Sequence, residues 1–113
     1  MMPTLAYKLL TETDWAAAQA SGVTASAVDL ADGYVHLSTA EQVRETARRY
    51  FAGVGRVRLL RFELAGLGDV RWEKSRGGDL FPHLYGPLEI TKANAAWWLD
   101  PGPDGLPVFP RMI

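Results

Sequence analysis

The chain contains no cysteine, which excludes disulfides, thiolate nucleophiles and cysteine-ligated zinc together. That absence suits a reducing cytoplasm, the expected location. Long apolar runs are missing too. No stretch approaches the ~18 residues of a membrane span, and Met1-Met2-Pro3-Thr4 is not the charged, then apolar, opening of a signal peptide. No membrane partner is expected. Neither sign of charge dominates: 12 Lys and Arg face 13 Asp and Glu, for a net charge of −1. Without a basic field, generic nucleic-acid binding is not expected. Histidine is scarce, with only two in the chain. They are far apart and form no His-x-x-x-His pair, so no metal is expected. The nucleophile elbow G-x-S-x-G is also absent, which argues against a Ser-His hydrolase.

What remains is a chain of 113 residues with 48% hydrophobic content. That length reads as a single domain spanning 1–113, able to bury roughly 65% of its unfolded surface without staples. Residues 5–10 read as a first strand. Thr11 with Asp14 forms an approximate capping box for an Ala-rich helix over 14–21, anchored by Trp15 and ended by Gly22. A polar stretch, 23–33, follows. Residues 34–37 read as a short strand, and Ser38-Thr39-Ala40-Glu41 as a capping box for a helix running to about Phe51. Val43, Ala47, Tyr50 and Phe51 share its apolar face. Strands are expected over 56–64 and 70–73, and strands or strand ends over 88–90 and 95–99. Residues 74–86 read as a long, ordered loop. The adjacent Trp97 and Trp98 face opposite sides of their strand, one into the core and one outward. The order β-α-β-α, then mostly β, gives an α+β domain with two helices on small, mainly antiparallel sheets.

Both histidines sit in segments dense in aromatic, glycine and hydroxyl residues. In Gly33-Tyr34-Val35-His36-Leu37-Ser38-Thr39, alternation puts His36 and Ser38 on one face and Val35 and Leu37 in the core. A helix N-terminus directly after them adds free amides and a positive dipole end. An imidazole, the Ser38 and Thr39 hydroxyls and that helix end together suit a phosphate. The same residues also read as a helix cap beside an ordinary sheet-edge histidine.

The second segment is Leu80-Phe81-Pro82-His83-Leu84-Tyr85-Gly86-Pro87, preceded by Glu73, Lys74, Arg76 and Gly77-Gly78. Pro82 and Pro87 restrict the backbone around His83 and Tyr85. Phe81 and Tyr85 offer a wall for a flat ring, and Arg76 a cation for phosphate. Glu73, at a strand end, is the carboxylate best placed for acid–base work. A surface loop pinned by its apolar residues is the other reading.

Tyr7-Lys8-Leu9, Trp15, Asp32 to Thr39, Trp72-Glu73 and Asp79 to Gly86 together resemble the bacterial family called domain of unknown function 952 (DUF952). The resemblance spans about residues 7–109. It implies a fold similar to the ADP-ribosyltransferases, a split pair of small sheets whose cleft binds NAD in active relatives. Val35-His36-Leu37-Ser38 is also similar to the H-V-H-L-S segment of the RNA 2′-phosphotransferases, with Tyr34 in place of the first histidine. The N-terminal Arg-His pair of those enzymes has no counterpart; Lys8 stands on the first strand.

The resemblance implies a nucleotide-binding domain that takes NAD as cofactor and transfers or hydrolyses its ADP-ribose. Ser38, Thr39 and Arg76 would hold phosphate, His36 the ribose or pyrophosphate, and Phe81 or Tyr85 the nicotinamide. Glu73 or His83 would orient the acceptor. The alternatives are a non-catalytic module that keeps the cleft and binds a small molecule or protein, and an interaction domain forming a homodimer through an exposed tryptophan.

Overall fold

Strand β1 (Leu5–Thr11) is apolar on both faces except at Lys8, and its neighbours bury both. Ala6, Lys8 and Leu10 point one way, Tyr7 and Leu9 the other. In the computed structural model, residues 3–113 are described, apart from the side chain of Arg76. The Thr11 hydroxyl accepts the Asp14 N–H at 3.1 Å and starts α1 (Glu12–Ser21), which Gly22 ends. Then come α2 (Ala27–Asp32), β2 (Val35–His36), α3 (Val43–Tyr50), β3 (Val57–Glu63), β4 (Val70–Lys74), β5 (Leu80–Leu84) and β6 (Ala95–Leu99). Among the described residues this is a small α+β domain with three α-helices and two antiparallel three-stranded sheets.

The first sheet has the order β1-β3-β6 and the second β2-β5-β4. One face of the first sheet (Ala6, Leu10, Leu60, Phe62) packs on Val35, Leu37 and Leu84 of the second. Its other face (Tyr7, Leu9, Leu59, Leu99) packs on Val43 and Ala47 of α3. The apolar stripe expected on α3 is narrower than its sequence suggests, since Tyr50 is 60% exposed. No helix among the described residues is long and apolar enough to cross a membrane.

The polar stretch 23–33 contains α2, a third helix where two were expected. At six residues it is too short for a 3.6-residue periodicity to register. Its ends are nonetheless marked: the Ser26 hydroxyl accepts the Asp29 N–H, and Gly33 closes the helix at φ 83°. The ordered loop 74–86 contains β5, the central strand of the second sheet, with Pro82 in its middle. A central strand tolerates proline only where the missing N–H ends a ladder. Here Leu37 donates its N–H to the Pro82 carbonyl at 3.1 Å, but Pro82 cannot donate back. The chain therefore leaves β5 after Leu37, and Ser38 turns to β1, exchanging both backbone hydrogen bonds with Tyr7 at 2.7 and 3.0 Å. Segment 35–38 thus links the two sheets.

The expected capping box does not form, and α3 begins at Val43 with Gln42 as its N-cap. Ser38 does not cap α3; its hydroxyl bonds that of Thr46 at 3.0 Å. Gln42 instead reaches back to accept the Thr39 N–H at 3.1 Å. Residues 88–90 are not a strand, since Glu89 makes a single bridge to Val23 before a turn of 3-10 helix at Ile90–Lys92. Trp97 and Trp98 do face opposite sides: Trp97 packs against the α3-side core and Trp98 is 37% exposed.

Gly33 holds a left-handed conformation with no heavy atom near its missing Cβ, so an added methyl group costs backbone strain alone. Gly33→Ala is predicted to lower stability by about 1 kcal/mol. Gly66→Ala, at ordinary φ and equally uncrowded, is predicted not to. Denaturant unfolding of the two variants checks this.

Candidate functional site

The strand register brings the two histidines together. His36 on β2 pairs directly with His83 on β5, which in turn faces Arg71 on β4. Because Leu37 and Pro82 occupy the hydrogen-bonding position, His36 and His83 form a non-hydrogen-bonded pair, where side chains lie closest. Their ring centroids are 5.4 Å apart, edge to face. Alternation adds Phe81, Tyr85 and Glu73 to the same face, opposite the core-facing Leu84 and Val35. Tyr34 covers the pair, stacked on His83 at 4.2 Å and tilted against His36 at 4.6 Å.

His36 lies on a sheet edge, so its backbone groups need partners other than a strand. Asp29 of α2 and Lys8 of β1 supply them. One Asp29 oxygen accepts the His36 N–H at 3.1 Å and contacts His36 Nδ1 at 2.6 Å. The other accepts from Lys8 Nζ at 2.7 Å, and Lys8 also donates to the His36 carbonyl at 3.0 Å. One helical turn on, Asp32 meets His36 Nε2 at 3.0 Å. Burial alone would raise the Asp29 carboxyl, but the bonds from His36 and Lys8 outweigh it and hold it at about 2. Burial pushes the Lys8 ammonium down, against the pull of Asp29.

His83 is only 2% exposed and is oriented from behind. Its Nδ1 meets a Glu73 oxygen at 2.8 Å, and the same oxygen accepts from the Tyr85 hydroxyl at 2.7 Å. An ionised carboxylate only accepts, so Nδ1 is the nitrogen that donates to Glu73, and Nε2 is the one Glu73 does not engage. The Tyr85 hydroxyl, and then His83, hold the Glu73 carboxyl below its usual range. Arg71 stacks over Tyr85 at 4.2 Å while bonded to Asp69 at 2.9 and 3.3 Å.

A cleft of about 520 Å3 opens beside this group. His36, His83, Ser38 and Phe81 line it, as the sequence predicts for ligand contacts, together with Lys8, Asp14, Asp32, Tyr34, Tyr50 and Phe51. Three expected contacts stand back from it. Glu73 and Tyr85 lie behind His83, and Thr39 is not in the cleft lining. Part of the helix end expected to grip phosphate is engaged internally: the Gln42 and Val43 amides both bond the Thr39 carbonyl. The side chain of Arg76 lies outside the described residues. Asp29, Asp32 and Tyr34 were not among the expected site residues. The Ser26-x-x-Asp29 spacing was a legible signal for the first two, because a helix starting at Ser26 sets Asp29 and Asp32 on one face.

Asp29 should carry a pH-dependent share of the stability. Its folded value of about 2 lies below its ordinary 3.8, so its contribution is complete above about pH 4 and lost as pH falls toward 2. Asp29→Asn is predicted to lose about 2 kcal/mol at pH 7, with the gap to wild type closing by pH 2. Denaturant unfolding across that range tests this, and an equal gap at every pH would contradict it.

The family model described as protein of unknown function (DUF952) matches residues 9–96. None of the curated proteins matches the chain. The X-ray structure of protein CC0527 from Caulobacter crescentus is 48% identical, covering 93% of this chain and 94% of that one, with a TM-score of 0.87. The solution NMR structure of the same protein is 48% identical over 91% of this chain and 90% of that one, with a TM-score of 0.79. With most of its length matched by the family model and a relative alike in both sequence and fold, the chain belongs to the DUF952 family.

Proposed function

We propose that the cleft beside His36 and His83 binds NAD or a related nucleotide, and that His83 activates the acceptor for transfer or hydrolysis of ADP-ribose. The observation that carries this reading is the Glu73–His83 pair, one imidazole nitrogen fixed by a carboxylate and the other not engaged by it, on a ring that lines the cleft. A general base needs that arrangement. The cleft's size is that of a small-molecule site. Its aromatic residues Tyr34, Tyr50, Phe51 and Phe81, with the carboxylates of Asp14 and Asp32, suit a flat cationic ring and ribose hydroxyls. In the reaction the bond from nicotinamide nitrogen to ribose C1′ breaks, and its electron pair leaves with the nicotinamide. An acceptor oxygen bonds to C1′, and its proton passes to His83 Nε2. Glu73 and Tyr85 act as positioning residues behind His83.

The second reading, a binding module without turnover, also has an observation in its favour. Asp29 and Asp32 engage both nitrogens of His36, and Asp29 neutralises Lys8, so little of the expected phosphate grip is available.

Calorimetric titration with NAD and ADP-ribose, paired with an assay for nicotinamide release, tests both. Saturable binding is expected in the wild type and weaker binding in His36→Ala. His83→Ala is expected to keep binding while losing about 100-fold or more of the release rate. Binding without release supports the module instead. Absence of binding overturns the nucleotide reading.

A further inference from the structure

Away from the cleft, Arg58 on β3 lies between two indoles, with its guanidinium carbon 4.8 Å from the Trp15 ring centre and 4.9 Å from that of Trp98. Arg56, two residues earlier, stacks on the same Trp98 ring at 4.1 Å. Arg58 Nε is shielded from solvent and has no hydrogen-bond acceptor. Among the described residues no carboxylate is paired with this guanidinium: burial pushes its pKa down, and the charge of Arg56 pushes it further the same way. Arg56 has one acidic partner, Asp100 at 3.4 Å, whose side chain is 80% exposed. Glu12 lies nearby, at the neighbouring Gly55.

Two guanidiniums on one indole, one of them without a counter-charge, are costly for a fold to maintain. Stacking on tryptophan offsets only part of that cost. An arginine whose planar guanidinium is fixed between aromatic neighbours also presents its terminal N–H groups in a set fork matched to oxyanions. We propose that Arg58 and Arg56, framed by Trp15 and Trp98, form an anion site for a phosphate-type dianion, separate from the cleft. Asp100, exposed and at long range, is the group an incoming phosphate displaces from Arg56.

The test is a titration of the wild-type protein with inorganic phosphate, followed by 1H–15N NMR, against sodium chloride at matched ionic strength. The Arg58 Nε–H and the indole N–H groups of Trp15 and Trp98 are expected to shift saturably with phosphate and not with chloride. Arg58→Gln is expected to abolish the response. Arg56→Gln, a change at an exposed side chain that leaves the core intact, is expected to weaken affinity about tenfold, the worth of one charge-assisted contact. Equal shifts with chloride, no saturable shift, or shifts confined to His36 and His83 would each overturn the proposal. The cluster would then be a structural cation–aromatic stack.

Discussion

The buried carboxylate of Asp29 is the contact on which the site's architecture depends. It joins a helix, α2, to two strands from different sheets, through Lys8 of β1 and His36 of β2. Each partner would be costly to bury alone: a lysine ammonium without a counter-charge, and an edge-strand N–H without an acceptor. Together they satisfy one another, and removing any one strands the others. The requirement also fixes what the cleft can offer. Lys8 reaches the cleft already neutralised, and His36 reaches it with Nδ1 engaged.

A second constraint comes from the backbone. Pro82 lacks the N–H that would have continued the pairing of β5 with the segment after His36. The chain then passes to β1, and the two sheets meet at Ser38 and Tyr7. The histidine pair sits immediately before this crossing, in the ladder position where opposing side chains come closest. On the far side of β5, β4 brings Glu73 and Arg71 into the same row. His83 is therefore oriented by a carboxylate from one neighbouring strand and overlaid by Tyr34 at the other.

Much of this was legible in the sequence, and the failures have physical causes. The first strand, the capped helix after it and strand β3 are regular enough for periodicity and caps to reveal them. The two histidine segments stand out in the sequence, but that His36 pairs with His83 and that Glu73 reaches His83 depend on strand register, which no local motif encodes. Pro82 hid β5, because proline in a run ordinarily argues against a central strand. Helix α2 was hidden by its brevity, and Asp29 with it, although Ser26 and Gly33 bracket it. The capping pattern suggests a phosphate grip at Ser38 and Thr39. In the structure the Ser38 hydroxyl is engaged by Thr46 and the Thr39 amide by Gln42, because α3 begins at Val43, several residues after the cap the sequence suggests. Long-range partners such as the Lys8–Asp29 pair leave no local signature at all.

Family membership and the likeness to protein CC0527 establish kinship and fold, so the function rests on the chemistry of the cleft. The central claim is that the Nε2 of His83 is the group that meets the ligand. The chain has only two histidines, so their ring nitrogens can be followed individually by long-range 1H–15N NMR during a titration with NAD. The expected result is a saturable shift of His83 Nε2 while Nδ1 keeps its proton toward Glu73. Binding of NAD that leaves His83 Nε2 unmoved, or no binding at all, would contradict it.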